Sequence, residues 1–263
     1  MLKLFIICWL LGAFAGTIAG LLGVGGGLII VPVLAFVFLD NHFSPDVVMH
    51  LALGTSLATI VFTSISSVYA HQKRGAVLWS IAFRLAPGII VGALMGAAIA
   101  DQLPAHALRF IFGIFELLVA GQMAFGLKPN AGRHLAGSPG LFLAGSIIGC
   151  ASAIVGIGGG SLTVPFLVWN NITMRNSVAT SSACGLPIAV AGSIGFILMG
   201  WHDPALPAYS FGYIYWPAVL GIVFASVLFA PMGAWLAHRL PTNIVKQFFA
   251  VFLGILGVRM LIG

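Results

Sequence analysis

The sequence predicts an all-α polytopic membrane protein of two inverted repeats, each a glycine-broken helical hairpin followed by three transmembrane helices. Three observations predict it. Hydrophobic residues make up 60% of the 263 positions and charged residues 6%, at a mean hydropathy of +1.14, whereas a soluble domain carries about 25% charged residues. A glycine-rich stretch ending in proline occurs twice, as GVGGGLIIVP at Gly23–Pro32 and as GIGGGSLTVP at Gly156–Pro165. Finally, the lysines and arginines concentrate in alternate loops, as the positive-inside rule requires of a multi-span protein.

The elements follow in order. The first repeat, residues 1–130, opens with the broken apolar run Leu4–Leu39 and continues with Val47–Ala70, Val77–Ala100 and Ala105–Leu127. Each of the three later runs reaches the roughly 20 residues that a helix needs to cross a bilayer. A polar linker at about 128–138 separates the halves. The second repeat, residues 138–263, has the broken run Leu141–Trp169 and then Ser177–Gly200, Ser210–Ala237 and Asn243–Ile262. Two more anchors support the duplication: LGTSL (Leu53–Leu57) pairs with ATSSA (Ala179–Ala183), and GAAIADQLP (Gly96–Pro104) with GAWLAHRLP (Gly233–Pro241). The stretch Met1–Gly16 has the make-up of a secretory signal, but its apolar run continues into the first glycine motif. It is therefore read as part of the first helix and not as a cleaved segment.

Each broken run reads as a hairpin that returns to its starting side. As one helix, Leu4–Leu39 would be roughly 50 Å long against a hydrocarbon core of about 30 Å. With returning hairpins, one side receives Lys73, Arg74, Lys128, Arg133, Arg175, Arg239 and Lys246. The other receives Lys3, Arg109 and Arg259 with the four aspartates Asp40, Asp46, Asp101 and Asp203. Single spans would leave the two sides nearly balanced. The expected location is the cell (inner) membrane, with both termini outside. A hairpin plus three spans is an odd number of crossings, so the halves are inverted, the architecture of secondary transporters.

Several function classes are excluded. The formal charge of +6 is scattered singly at the ends of apolar runs and forms no patch for tracking nucleic-acid phosphates. The glycine motif lacks the Lys-Ser/Thr of a nucleotide P-loop, and Leu28 stands where a dinucleotide fingerprint needs its third glycine. Cys8, Cys150 and Cys184 lie in apolar segments and are odd in number, so they read as buried hydrophobes. The histidines have no metal-ligand spacing, and no cofactor is expected.

A glycine cluster inside an apolar run opens the helix, and the half-helix that restarts near Gly27 or Gly160 exposes free N–H groups and a positive dipole end. Such an end is an anion site. Hydroxyls gather where a polar pocket would need them: Thr55, Ser56 and Thr59 in one half, and Ser161, Thr163, Thr180, Ser181 and Ser182 in the other. The bland alternative is that the glycines permit close helix packing and the hydroxyls bond nearby carbonyls. Arg84 and Glu116 are the charges well inside predicted spans, at similar depths on consecutive helices, which suggests a buried ion pair of structural or charge-coupling role. Arg175 precedes the second Thr-Ser motif and serves as entrance charge or topology anchor. His50 lies one turn before Thr55, as a pH-sensitive gate or an interfacial histidine.

The paired GxGGG…VP turns, followed by GTS and RNSVATSS, resemble the sulfite exporter TauE/SafE family of membrane anion transporters, over nearly the whole chain. The resemblance implies transport, commonly export, of small sulfur-containing or organic anions such as sulfite, sulfonates or sulfoacetate. By motif position it places Gly25, Gly26, Gly27, Thr55, Ser56, Gly158, Gly159, Gly160, Ser161, Ser181 and Ser182 near the substrate path. The expected partners are a small anion and the lipid bilayer, with proton or ion coupling and oligomerisation left open. Uptake of the same anions is the nearest alternative. An intramembrane serine hydrolase built on Ser56 would need a histidine base in reach, and His50 faces away on its own helix. A non-transporting assembly factor is the third reading.

Overall fold

Helix ends fall where glycine and polar loops put them. The computed structural model describes residues 2–22, 26–125, 137–237 and 242–262. Helix α1 (Leu2–Leu22) stops before the first glycine cluster, and α2 (Gly27–Asp40) restarts behind Gly26 as N-cap. In the second half α6 (Ser138–Val155) ends at Gly156 and α7 (Gly160–Trp169) begins after Gly159. Gly156 and Gly159 take φ of +69° and +74°, a left-handed backbone that glycine adopts without steric cost. Gly25, the linker from 126 to 136 and the second anchor's His238–Pro241 lie outside the described residues.

The remaining spans match their apolar runs to within a few residues. They are α3 (Val48–Lys73), α4 (Trp79–Gln102), α5 (Ala105–Phe125), α8 (Met174–Met199), α9 (Trp216–Ala237) and α10 (Thr242–Ile262). Five described helices, α3, α4, α5, α6 and α8, are long and apolar enough to cross a membrane.

One element departs from expectation. The run Ser210–Ala237 is not helical throughout, because its first six residues form an antiparallel hairpin of β1 (Ser210–Phe211) and β2 (Ile214–Tyr215). Gly212 at φ +55° makes its turn, as a two-residue hairpin loop requires of its first residue. The signal was the glycine between two aromatic-rich pairs, hidden inside an apolar stretch.

Helices pack mainly on helices of the other half. Helix α4 runs parallel to α6: a methyl group added at Gly96 would lie 2.5 Å from the Cys150 carbonyl, and Gly88 and Gly92 abut Phe142 and Ser146 in the same way. From the facing side, Gly145 abuts Leu85 and Gly149 abuts Ile89. The pair α1 and α9 repeats this arrangement, with Gly12 against Ile222 and Gly16 against Ser226. Small residues at four-residue spacing let backbones touch, which is how membrane helices associate without a hydrophobic driving force. The third helices cross antiparallel: Gly54 meets Phe196, Gly192 meets Leu57, and Gly185 meets Ser64. The fifth helices do the same, with Gly113 on Leu261 and Gly257 on Leu117.

Candidate functional site

The start of α2 meets the second helix break within this packing. A methyl at Gly27 would sit 2.9 Å from the Gly156 carbonyl and 3.1 Å from the Ile157 Cα. The second turn is wedged between α3 and α8, with Gly156 against Leu53, Gly158 against Ile60, and the Gly158 carbonyl against Gly185. Close approach of this kind tolerates no side chain, which explains the glycines at 27, 156 and 158. Gly159 and Gly160 begin α7 beside them, and Ser161 follows half-buried.

The hydroxyls near the breaks hold backbone of the opposite half. Ser56 donates to the Gly156 carbonyl at 2.8 Å, tying α3 to the second turn. Thr55 Oγ1 accepts from the Tyr215 amide at 3.0 Å, and Thr180 Oγ1 accepts from the Leu78 amide at 3.0 Å. Tyr215 and Leu78 each immediately precede the fourth helix of their half. Thr55 therefore corresponds to Thr180 and Ser56 to Ser181, one residue away from the register in which LGTSL lies on ATSSA. Thr59 donates to the Ser56 carbonyl, while Ser67 and Ser182 join α3 to α8 at 3.1 Å. Thr55, Ser56, Thr59 and Thr180 are completely buried, and Ser181 nearly so.

The predicted pairing of Arg84 with Glu116 does not occur. Arg84 lies on the exposed face of α4, whereas Glu116 is fully buried in α5 and both of its carboxyl oxygens lack a hydrogen-bond partner. They stay apart because Glu116 belongs to the buried stripe of α5 (Leu108, Phe112, Glu116), a helix that packs on α10, α3 and α6. Arg175 is exposed and donates to the Arg74 carbonyl at 3.1 Å, so it caps the end of α3 and gathers with Lys73 and Arg74.

The opposite end of α3 carries an acidic cluster that the sequence reading did not assemble. The Tyr213 hydroxyl lies 3.0 Å from Asp101 and 3.0 Å from Asp203. Burial first, and then these carboxylates, hold its phenol above the usual tyrosine range. His50 stacks on the Tyr213 ring with centroids 4.9 Å apart, and its Nε2 lies 3.0 Å from the Ala100 carbonyl. A carbonyl only accepts, so that nitrogen carries the hydrogen and the buried, unpartnered Nδ1 is the free position. His50 is thus spoken for and faces the hairpin rather than Ser56. Asp101 ends one span and Asp203 follows another, and only the intervening hairpin brings them together.

The profile of the sulfite exporter TauE/SafE family matches residues 8–260. The chain belongs to this family. A relative from Haemophilus influenzae, described as a probable membrane transporter protein, is 36% identical over 99% of both chains. Another from Bacillus subtilis, the probable membrane transporter protein YunE, is 27% identical over 98% of this chain and 97% of its own. A third, from Methanocaldococcus jannaschii, carries the same description at 26% identity, over the whole of this chain and 96% of the relative. No solved structure matches the chain. As a TauE/SafE protein it is a membrane transporter and not an enzyme, which agrees with Ser56 spending its proton on a backbone carbonyl.

Proposed function

We propose that this TauE/SafE protein is a secondary transporter that exports small sulfur-containing or organic anions, such as sulfite, sulfonates or sulfoacetate, by alternating access of two inverted halves. The observation that carries the reading is the packing of Gly27, at the start of α2, on the second helix break, which is itself wedged between α3 and α8. The antiparallel crossing of these equivalent helices supports the inversion. Half-helix N-termini and neutral hydroxyls suit an anion that must be released, since a buried fixed cation would hold it too tightly. The glycine turns, with Thr55, Ser56, Ser161, Ser181 and Ser182, frame the path. Thr55 and Ser56 act by fixing the second turn and the hairpin around it.

Glu116 is the coupling group in this reading. A carboxyl with no partner inside a span is expensive as an anion, so it takes up a proton or cation when the substrate crosses. Arg175, with Lys73 and Arg74, draws anions to the cytoplasmic mouth, and the acidic end faces outside along with both termini, in the inner membrane. Export is the direction carried by the family description. The test is flux of radiolabelled sulfite, methanesulfonate and acetate into proteoliposomes, with and without a pH gradient. Saturable flux driven by the gradient, with loss of the gradient response in Glu116→Gln, is expected. Absence of flux for all three anions in either orientation would overturn the reading.

A further inference from the structure

The two breaks differ in backbone and in lining: the N-cap of the restarting helix has φ −74° at Gly26 and φ +74° at Gly159. Ser152 in the last turn of α6 and Thr163 in the first turn of α7 are completely buried, and neither hydroxyl oxygen has a hydrogen-bond partner. Both converge on Gly159. A methyl built on Gly159 would lie 3.3 Å from Thr163 Oγ1 and 3.5 Å from Ser152 Oγ. Gly159 is the N-cap of α7, and its carbonyl accepts from the Leu162 and Thr163 amides, which leaves the N–H groups of Gly160 and Ser161 without a partner within the helix at this point.

The glycine register sets Gly26 opposite Gly159. There, a methyl on Gly26 would meet Ile30 Cδ1 at 3.0 Å and Ala15 Cβ at 3.4 Å. Ile30 stands in the register position of Thr163, and Ala19 in that of Ser152. The described atoms over Gly26 are thus carbon, whereas two unused donors face Gly159.

We propose that the anion binds at the second break alone, on the hydroxyls of Ser152 and Thr163 and the first-turn amides of α7. This rests on the transport reading above. Hydroxyl and amide donors select a ligand that presents several acceptor oxygens on one small centre, the chemistry shared by sulfite, sulfonates and carboxylates. Ile188, whose Cδ1 is the nearest atom to the space over Gly159, limits its size. Ile188 Cδ1 already sits in that space, so its flexible end turns aside as the anion enters, and the glycine at 159 is fixed by its left-handed backbone and by this close approach.

The test is equilibrium binding to the purified full chain in detergent, by calorimetry and by ligand-induced thermal shift. The probes are sodium sulfite, methanesulfonate and acetate, with chloride as reference. Losing one hydrogen bond to a charged oxygen weakens binding by about tenfold or more, so Ser152→Ala and the isosteric Thr163→Val are each expected to do so. Thr163→Ser restores affinity, and Ile30→Val leaves it unchanged. Sulfite bound equally by wild type, Ser152→Ala and Thr163→Val would overturn the site, as would binding of none of the probes by the wild type. Binding that follows the expected pattern, with no flux in proteoliposomes, would support the site and refute the transport reading instead.

Discussion

The same substitution, glycine to alanine, should change sign according to which helix face it falls on. At Gly96 the new methyl would lie 2.5 Å from the Cys150 carbonyl and 3.0 Å from Ala153 Cβ, where ordinary contact begins at 3.4 Å. Helices α4 and α6 must therefore part by about 0.9 Å (3.4 less 2.5), and the obstructing atom is backbone that cannot rotate away. Overpacking of this kind costs about 1–3 kcal/mol, against roughly 1 kcal/mol gained in helix propensity. A net loss of up to about 2 kcal/mol is expected. At Gly254 in α10 nothing lies within 4 Å of the added methyl, so only the propensity gain remains and Gly254→Ala should stabilise by up to about 1 kcal/mol. Gly121→Ala, equally open, is a second control. Reversible unfolding in SDS-containing mixed micelles, followed by circular dichroism, reads both signs in one experiment. If Gly96→Ala proved as stabilising as Gly254→Ala, the close parallel seam between α4 and α6 would be refuted.

Three further outcomes are expected. Ser56→Ala removes a buried donor and leaves the Gly156 carbonyl unpaired, and interhelical hydrogen bonds in membranes contribute about 0.6–1.7 kcal/mol; an unchanged midpoint in the same unfolding assay would contradict the tie between halves. Thr55→Val and Thr180→Val should lower stability by similar amounts, as both accept from the amide before a fourth helix, and a clear difference between them would argue against their equivalence. For Tyr213 the folded phenol is held above the usual tyrosine value. The unfolded chain then loses its proton first as pH rises past about 10, so stability is full below that pH and falls above it. This alkaline loss should flatten in Tyr213→Phe, measured as unfolding midpoint from pH 8 to 11, and an unaltered slope would refute the shielded position of the phenol.

The glycine clusters and the apolar runs were legible in the sequence because both act locally, the first through backbone freedom and the second through length against bilayer thickness. Rotation about the helix axis was not: Arg84 faces outward and Glu116 inward, and in a membrane helix the faces toward lipid and toward protein are both apolar. Contacts between distant loops were also hidden. Asp101, Asp203 and Tyr213 meet only because Gly212 turns a short hairpin back over α8, and composition alone made that segment look like more helix. Ser152 escaped notice since serine in a membrane helix normally bonds its own backbone, and its lack of a partner is a fact of three dimensions.

The interleaving of the halves also bears on how the chain is made. Helix α1 has its most intimate neighbour in α9, with Gly12 against Ile222, 210 positions further along. At a synthesis rate of 5–20 residues per second, about 10–40 s separate the two segments as they leave the ribosome. Throughout that interval the glycine-lined groove of α1 is open to lipid or to whatever insertion machinery shelters it. Helix α4 waits only for α6, a much shorter delay. Truncations before α9 should therefore leave α1 exposed to quality-control proteases, since its groove closes only once α9 has been made.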